Sequence, residues 1–204
     1  GLGREVAWHD EVLSLRHIDA PDLRSFMSEV LSNDVGIKPF PVYFVVQYGW
    51  SSVFGPTVLS LRMLSVTCSI GALLLLIGTT RRLYSEPASW IAGALFSVSL
   101  PHIYFAQEIR FYALVTLLVA LSCYAFVRAM HYGETRWWAL NIAVNAVLPW
   151  THVYGPLVWI AQAFALLLFQ FRERKLIVVW ALAHFAICVA FAIWMFGIVR
   201  YVIE

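Results

Sequence analysis

The amino-acid sequence predicts an all-α fold: a polytopic transmembrane helical bundle, preceded by an extracytoplasmic loop that carries amphipathic interfacial helices. Three observations predict it. Of the 204 residues, 61% are hydrophobic and 13% are charged, where ordinary soluble domains carry about 25% charge. The apolar residues form successive runs, most of them close to the roughly 20 residues that cross a bilayer core of about 30 Å as a helix. The charges collect between those runs and in the N-terminal stretch.

The elements follow in order. Residues 1–57 form the outer loop and residues 58–204 the bundle. In Pro21–Asn33, Leu23, Phe26, Met27, Val30 and Leu31 share one helical face, with Arg24, Ser28 and Glu29 on the other side. Pro21 suits a first turn, and Asn33 with Gly36 suits an end. Such a helix either lies in the interface plane or packs on the spans. Val42–Phe54, opened by Pro39 and Pro41, reads as a half-buried or interfacial helix with headgroup-level aromatics at Tyr43, Tyr48 and Trp50. About six crossings follow: Val58–Thr79, Ala88–Phe105, Phe111–Arg128, Trp137–Thr151, Val153–Phe171 and Leu176–Val199. The fourth is short and contains Pro149. The chain opens at Gly1 and closes at Glu204 directly after an apolar run. We therefore expect a fragment of a longer protein, lacking an N-terminal helix and a C-terminal part.

Short-loop Lys and Arg set the orientation. Arg81 and Arg82, Arg128 and Arg136, and Arg172, Arg174 and Lys175 fall in three loops on one side, expected to be cytoplasmic. The opposite side then collects Trp8, Asp10, Glu11, Lys38, Tyr104, Gln107, Glu108, Arg110, Tyr112, His152 and Tyr154, with Arg62 near the outer end of its span. Four separate segments thus deliver polar groups to one membrane surface.

Several functions are excluded or disfavoured. A net charge of +2, with no basic tract, argues against nucleic acid. No GxxxxGK[ST] loop marks a nucleotide hydrolase. Cys68, Cys123 and Cys188 each sit in an apolar run without CxxC spacing, and are expected to be buried, inert thiols. His184, mid-span, is expected to bond a neighbouring helix, as are Asn145 and Gln162.

The outer-face groups allow specific chemistry. A carboxylate of Asp10 or Glu11 can take a proton from an acceptor hydroxyl, or the two can be a solvated acidic pair. Arg110 can bind a phosphate through paired hydrogen bonds, with Lys38 adding charge. Alternatively, Glu108 and Arg110 form a helix-end ion pair that snorkels to water. His152 is either an interfacial, hydrogen-bonded histidine or a ligand. His9, His17, His152 and Asp10 are a candidate set for a divalent metal ion, although no HxxxH or HExxH spacing supports it.

Taken in order, these motifs resemble those of GT-C membrane glycosyltransferases. The branch is the bacterial one related to protein O-mannosyltransferases and the lipid A aminoarabinose transferase, glycosyltransferase family 39. Trp8-His9-Asp10-Glu11 resembles the acidic motif of the first outer loop. Lys38-Pro39-Phe40-Pro41-Val42-Tyr43-Phe44 resembles [HK]-P-P-L-Y-[FY], with Phe40 interrupting the double proline. Leu61-Arg62-Met63-Leu64-Ser65 resembles L-R-L-x-S. Pro101 with Tyr104–Tyr112 resembles S-P-x-x-x-Y-x-x-Q-E-x-R-x-Y, the most specific string. Thr151-His152-Val153-Tyr154 with Gln162 resembles [ST]-H-Y-F…Q.

The resemblance implies a polyprenyl-phosphate-linked sugar donor, mannose-like or an aminopentose. It implies a protein, lipid or glycan acceptor, and inverting transfer on the outer side. That side would be the periplasmic or extracellular face of a bacterial inner (plasma) membrane. On it, Asp10 is the expected base, with Glu11 second. Lys38 and Arg110 bind the donor phosphate, and Gln107, Glu108, Tyr112, His152, Tyr154 and Arg62 line the cleft. No cofactor is implied beyond the candidate divalent metal ion. Two other readings stay open: a non-catalytic scaffold or inactive fragment, and a lipid-linked sugar translocase. A translocase predicts ionisable groups along the span interiors, where His184 stands alone.

Overall fold

The computed structural model describes residues 22, 24–26, 28, 40–169 and 174–203. Asp10, Glu11, Lys38, His9 and His17 lie outside them. Among the described residues every regular element is a helix: α1 Val42–Phe54, α2 Val58–Leu83, α3 Glu86–Ser97, α4 Leu100–Ala106, α5 Tyr112–Tyr132, α6 Thr135–Thr151, α7 Leu157–Phe169 and α8 Arg174–Ile203.

Local chemistry sets the boundaries. Thr57 caps α2 by accepting the Ser60 N–H at 3.2 Å, and Arg81 and Arg82 lie in the last turn, where the helix dipole favours cations. Ser85 caps α3 in the same way through the Ala88 N–H, with Pro87 in the first turn. Gly133 ends α5 in the left-handed region at φ 69°, its N–H bonding the Ala129 carbonyl.

Ahead of α1, Asp22 caps the helical turn at residues 24–26, and Pro21 lies outside the described residues. The Asp22 carboxylate accepts the Ser25 N–H at 2.7 Å. Phe26 is 2% exposed and packs on Tyr48 at 4.7 Å, while Arg24 and Ser28 face out. The expected amphipathic face is therefore packed on the bundle at Phe26. α1 likewise buries Tyr43, Phe44, Gln47 and Ser51 along one stripe.

α2 and α5 run parallel and close. A Cβ on Gly71 would stand 2.9 Å from Leu117, and one on Gly78 would stand 3.1 Å from Tyr124. Further along, Arg82 donates to the Tyr132 hydroxyl. α3 packs as tightly, with Gly93 against Ile77. The remaining directions alternate: Phe126 meets Trp138 and Leu166, and Trp150 meets Phe191. The described residues thus make six passes between two ends.

Not all passes are long. Among the described residues α2, α5 and Arg174–Arg200 of α8 are long and apolar enough to cross a membrane, and α3 with α4 reaches that length only as a pair bent by 63°. The second expected crossing is therefore split, because Ser99-Leu100-Pro101 ends one helix and starts another. The fourth and fifth correspond to helices of 17 and 13 residues, about 26 and 20 Å at 1.5 Å per residue.

The bundle is apolar outside, and its apolar core encloses a polar network. Leu74, Trp90, Leu95, Phe164, Phe185, Ile193 and Phe196 are each more than 60% exposed, as a lipid-facing surface requires. Inside, four helices are joined by one polar network. Ser122 donates to Asn145 Oδ1 at 2.6 Å, and Gln162 Nε2 donates to Ser122 at 2.7 Å. Asn145 Nδ2 donates to Gln162 at 2.9 Å and meets His184 Nε2 at 2.8 Å. His184 Nδ1 lies 2.8 Å from the Trp180 carbonyl. That carbonyl can only accept, so Nδ1 carries the proton and Nε2 accepts from Asn145. The interhelical roles expected of Asn145, Gln162 and His184 are seen. Of the thiols, Cys68 is buried as expected, whereas Cys123 is half-buried and Cys188 exposed. α8 buries its Trp180–His184–Ile187 stripe, and Cys188 falls outside it.

Replacing Asn145 by Ala removes hydrogen bonds to α7 and α8 at once. We expect a loss of about 1–2 kcal/mol, read from unfolding midpoints in detergent, with Cys188→Ala near neutral in the same assay.

Candidate functional site

The turn between α4 and α5 is residues 107–111, and α2 holds it down. The Ser65 hydroxyl donates to the Glu108 carbonyl at 2.5 Å. Ile109 is fully buried against Leu61, with Trp50 and Val58 beside them. Trp50 is itself fixed, its indole N–H donating to the Ser60 carbonyl at 2.9 Å. Because Ile109 points inward, its neighbours Glu108 and Arg110 are only half-buried. Gln107 is exposed and folds back on the Ile103 carbonyl at 3.2 Å. Arg62, one residue from Leu61 and three from Ser65, is 3% exposed. Burying a guanidinium this fully is costly unless it is partnered, so a fixed position for it at this end is a constraint on the local fold.

A second segment meets this turn. α6 ends at Thr151, and His152 follows as its C-terminal cap. The His152 ring stacks on Phe111 with centroids 4.6 Å apart, and lies 6.0 Å from Tyr112, 5.2 Å from Tyr154 and 5.9 Å from Phe40. The Arg110 guanidinium lies 5.2 Å from the Phe111 ring and 5.7 Å from Tyr112. The result is an aromatic shelf holding one cation and one imidazole.

The backbone orients the imidazole. His152 Nδ1 accepts the Tyr154 N–H at 3.2 Å, so the proton of the neutral ring sits on Nε2. Partial burial, and then the Arg110 charge, hold the His152 pKa below its ordinary value. The tight turn depends on Gly155, where a Cβ would lie 2.8 Å from the Leu148 carbonyl oxygen and 3.1 Å from that of His152.

The structure thus brings Arg62, Glu108, Arg110, Tyr112 and His152 to one end of the bundle, with Gln107 exposed and Tyr154, 68% exposed, at the rim. No salt bridge joins Glu108 to Arg110 among the described residues, and the contact Glu108 shows is through its carbonyl. Asp10, Glu11 and Lys38 lie outside the described residues, as do three of the four candidate metal ligands. Among the described residues no group of three His, Cys, Asp or Glu side chains converges.

Ser65, Phe111 and Gly155 carry the site's geometry without having been assigned a role from sequence. Ser65 did stand inside a quoted motif, and Phe111 beside Arg110. The tertiary partners were the missing information.

A family model of dolichyl-phosphate-mannose-protein mannosyltransferases matches residues 38–196. The chain belongs to this family. It is a membrane glycosyltransferase of the GT-C type. The match spans α1 to α8 and includes Lys38, Arg62, Gln107–Tyr112, His152 and Tyr154, whereas Asp10 and Glu11 precede it. No curated protein and no solved structure matches the chain.

The glycosyltransferase should titrate at His152 below an ordinary histidine. Its folded form binds this proton less well than its unfolded form. The stabilising neutral state is therefore present above about pH 6.5 and is lost as pH falls through the lowered value. Replacing Arg110 by Ala should move the His152 midpoint upward in a 13C-histidine NMR titration. An unchanged midpoint would separate the two groups.

Proposed function

We propose that this protein transfers a sugar from a polyprenyl-phosphate donor to an acceptor hydroxyl at the outer membrane surface, with inversion at the anomeric carbon. The acceptor is a protein, lipid or glycan hydroxyl. The membrane is a bacterial inner (plasma) membrane, with the site on its periplasmic or extracellular side. The observation that carries the reading is the convergence of Arg110, Tyr112 and His152, from two separate segments, at one end of an apolar-surfaced bundle. A polyprenyl chain stays in hydrocarbon, so its phosphate must sit at such an end.

The chemistry follows from that placement. The acceptor oxygen attacks the anomeric carbon and forms the new glycosidic bond. The bond from that carbon to the phosphate oxygen breaks, and its electron pair leaves with the polyprenyl phosphate. The acceptor proton passes to a carboxylate, which we assign to Asp10, with Glu11 as the second candidate. Arg110 and Lys38 stabilise the charge that grows on the departing phosphate. His152, neutral with its proton on Nε2, offers a hydrogen bond into the cleft without adding charge. Arg62, Gln107, Glu108 and Tyr154 shape the cleft around donor and acceptor. The family description, a dolichyl-phosphate-mannose-protein mannosyltransferase, supports a lipid-linked donor and favours mannose.

Two substitutions in the full chain test the roles. Asp10→Asn should lower kcat by at least about 100-fold with expression intact, as measured by transfer from polyprenyl-phosphate mannose and mass spectrometry of products. Full activity would remove Asp10 as base. Arg110→Ala should raise the KM for the lipid donor and also lower kcat, since the phosphate charge is greatest in the transition state. An unaltered donor dependence counts against the clamp.

A further inference from the structure

The opposite end of the bundle carries a second polar cleft that takes no part in the proposed transfer. It has a volume of about 460 Å³ and is lined by Gly78, Arg81, Arg82, Tyr124 and His131. It lies where the last turns of α2 and α5 come together. Gly78 opens it, since a Cβ there would crowd Tyr124 at 3.1 Å.

The charge at this end is unbalanced. Arg81 is paired with Glu86 at 3.0 Å, and Arg136 is paired with Glu134. Among the described residues neither Arg82 nor Arg128 has a carboxylate partner. Aromatic rings hold them instead. Arg82 donates to the Tyr132 hydroxyl and lies 5.0 Å from that ring. Arg128 lies 4.5 Å from Trp137, 4.9 Å from Tyr132 and 5.7 Å from Tyr124. A ring face fixes a guanidinium without neutralising it. The two cations are therefore positioned in advance, with their charge unspent.

The approach to the cleft is apolar. Leu74 stands one turn before Gly78 on the same stripe of α2 and is 64% exposed. Leu83 and Tyr84, just past the two arginines, are 56% and 78% exposed. A ligand that suits this surface has a phosphate for the arginines and a hydrocarbon tail for the flank.

We propose that this cleft binds the phosphate headgroup of an anionic phospholipid, in the leaflet opposite the candidate glycosyl-transfer site. The Arg82 guanidinium, which lines the cleft, contacts the headgroup oxygens, Arg128 adds its charge from beside the shared Tyr132 ring, and His131 and Tyr124 wall the pocket. An acyl chain runs along α2 past Leu74. By the distribution of short-loop Lys and Arg that leaflet is cytoplasmic, where anionic lipids meet basic pockets between helices.

The test is native mass spectrometry of the full chain in detergent, titrated separately with phosphatidylglycerol, phosphatidylcholine and inorganic phosphate. The expected result is retention of one phosphatidylglycerol at concentrations where phosphatidylcholine and inorganic phosphate are not retained. Arg82→Gln should weaken that retention about fivefold, while Arg174→Gln, a charge at the same end but outside the cleft, should not. Circular dichroism and unfolding midpoints identify a misfolded variant. In that case Tyr132→Phe, which frees Arg82 from its hydroxyl partner while keeping the ring, should alter retention in a folded protein. Equal binding of phosphatidylcholine, retention of phosphate as strong as that of lipid, equal loss in both arginine variants, or no response to either cleft variant would each overturn the proposal.

Discussion

The parallel packing of α2 against α5 is the contact on which both ends of the molecule depend. Gly71 and Gly78 let the two helices approach until Leu117 and Tyr124 fill the space a Cβ would take. Close contact along two long helices fixes their relative rotation and register. At one end this register brings Ser65 to the Glu108 carbonyl and Leu61 to Ile109. At the other it brings Arg82 to Tyr132. A slide of one turn along this interface, about 5.4 Å, would undo both ends together.

The second constraint is the polar network inside the bundle. Apolar side chains gain little by leaving lipid for a protein interior, so helix association in a membrane relies on close packing and hydrogen bonds. Ser122, Asn141, Asn145, Gln162 and His184 are all 5% exposed or less. Their hydrogen bonds join α5, α6, α7 and α8. This matters most for α6 and α7, the two shorter helices. It also bears on the candidate site: the network holds α6 against α5, α7 and α8, and α6 carries His152 at its cap. The position of His152 against Phe111 is thus a consequence of contacts made well within the bundle.

The two ends of the protein use arginine differently. At the candidate-site end Arg110 lies beside aromatic rings, and its charge adds to partial burial in holding the His152 pKa down. At the opposite end Arg82 and Arg128 lean on Tyr132 and Trp137. There the ring faces position two cations without neutralising them, which keeps their charge available to an anion. We assign Arg110 to a phosphate that departs in a reaction, and Arg82 and Arg128 to a phosphate that stays bound.

The sequence by itself determined the fold class, the alternation of apolar runs with basic loops, and the polar groups at one membrane face. Those properties follow from composition and from the period of a helix, which are local. The motif strings also located Arg62, Gln107–Tyr112 and His152 correctly at one end of the bundle. Tertiary structure alone decided several other points. It split the second span at Ser99–Pro101 through a 63° bend. It left Cys188 exposed on a helix that packs along one stripe. It also showed that Glu108 engages Ser65 through its backbone. Each of these depends on which face of one helix meets another. That meeting is set by contacts between residues far apart in the chain, and no local pattern in the sequence carries it.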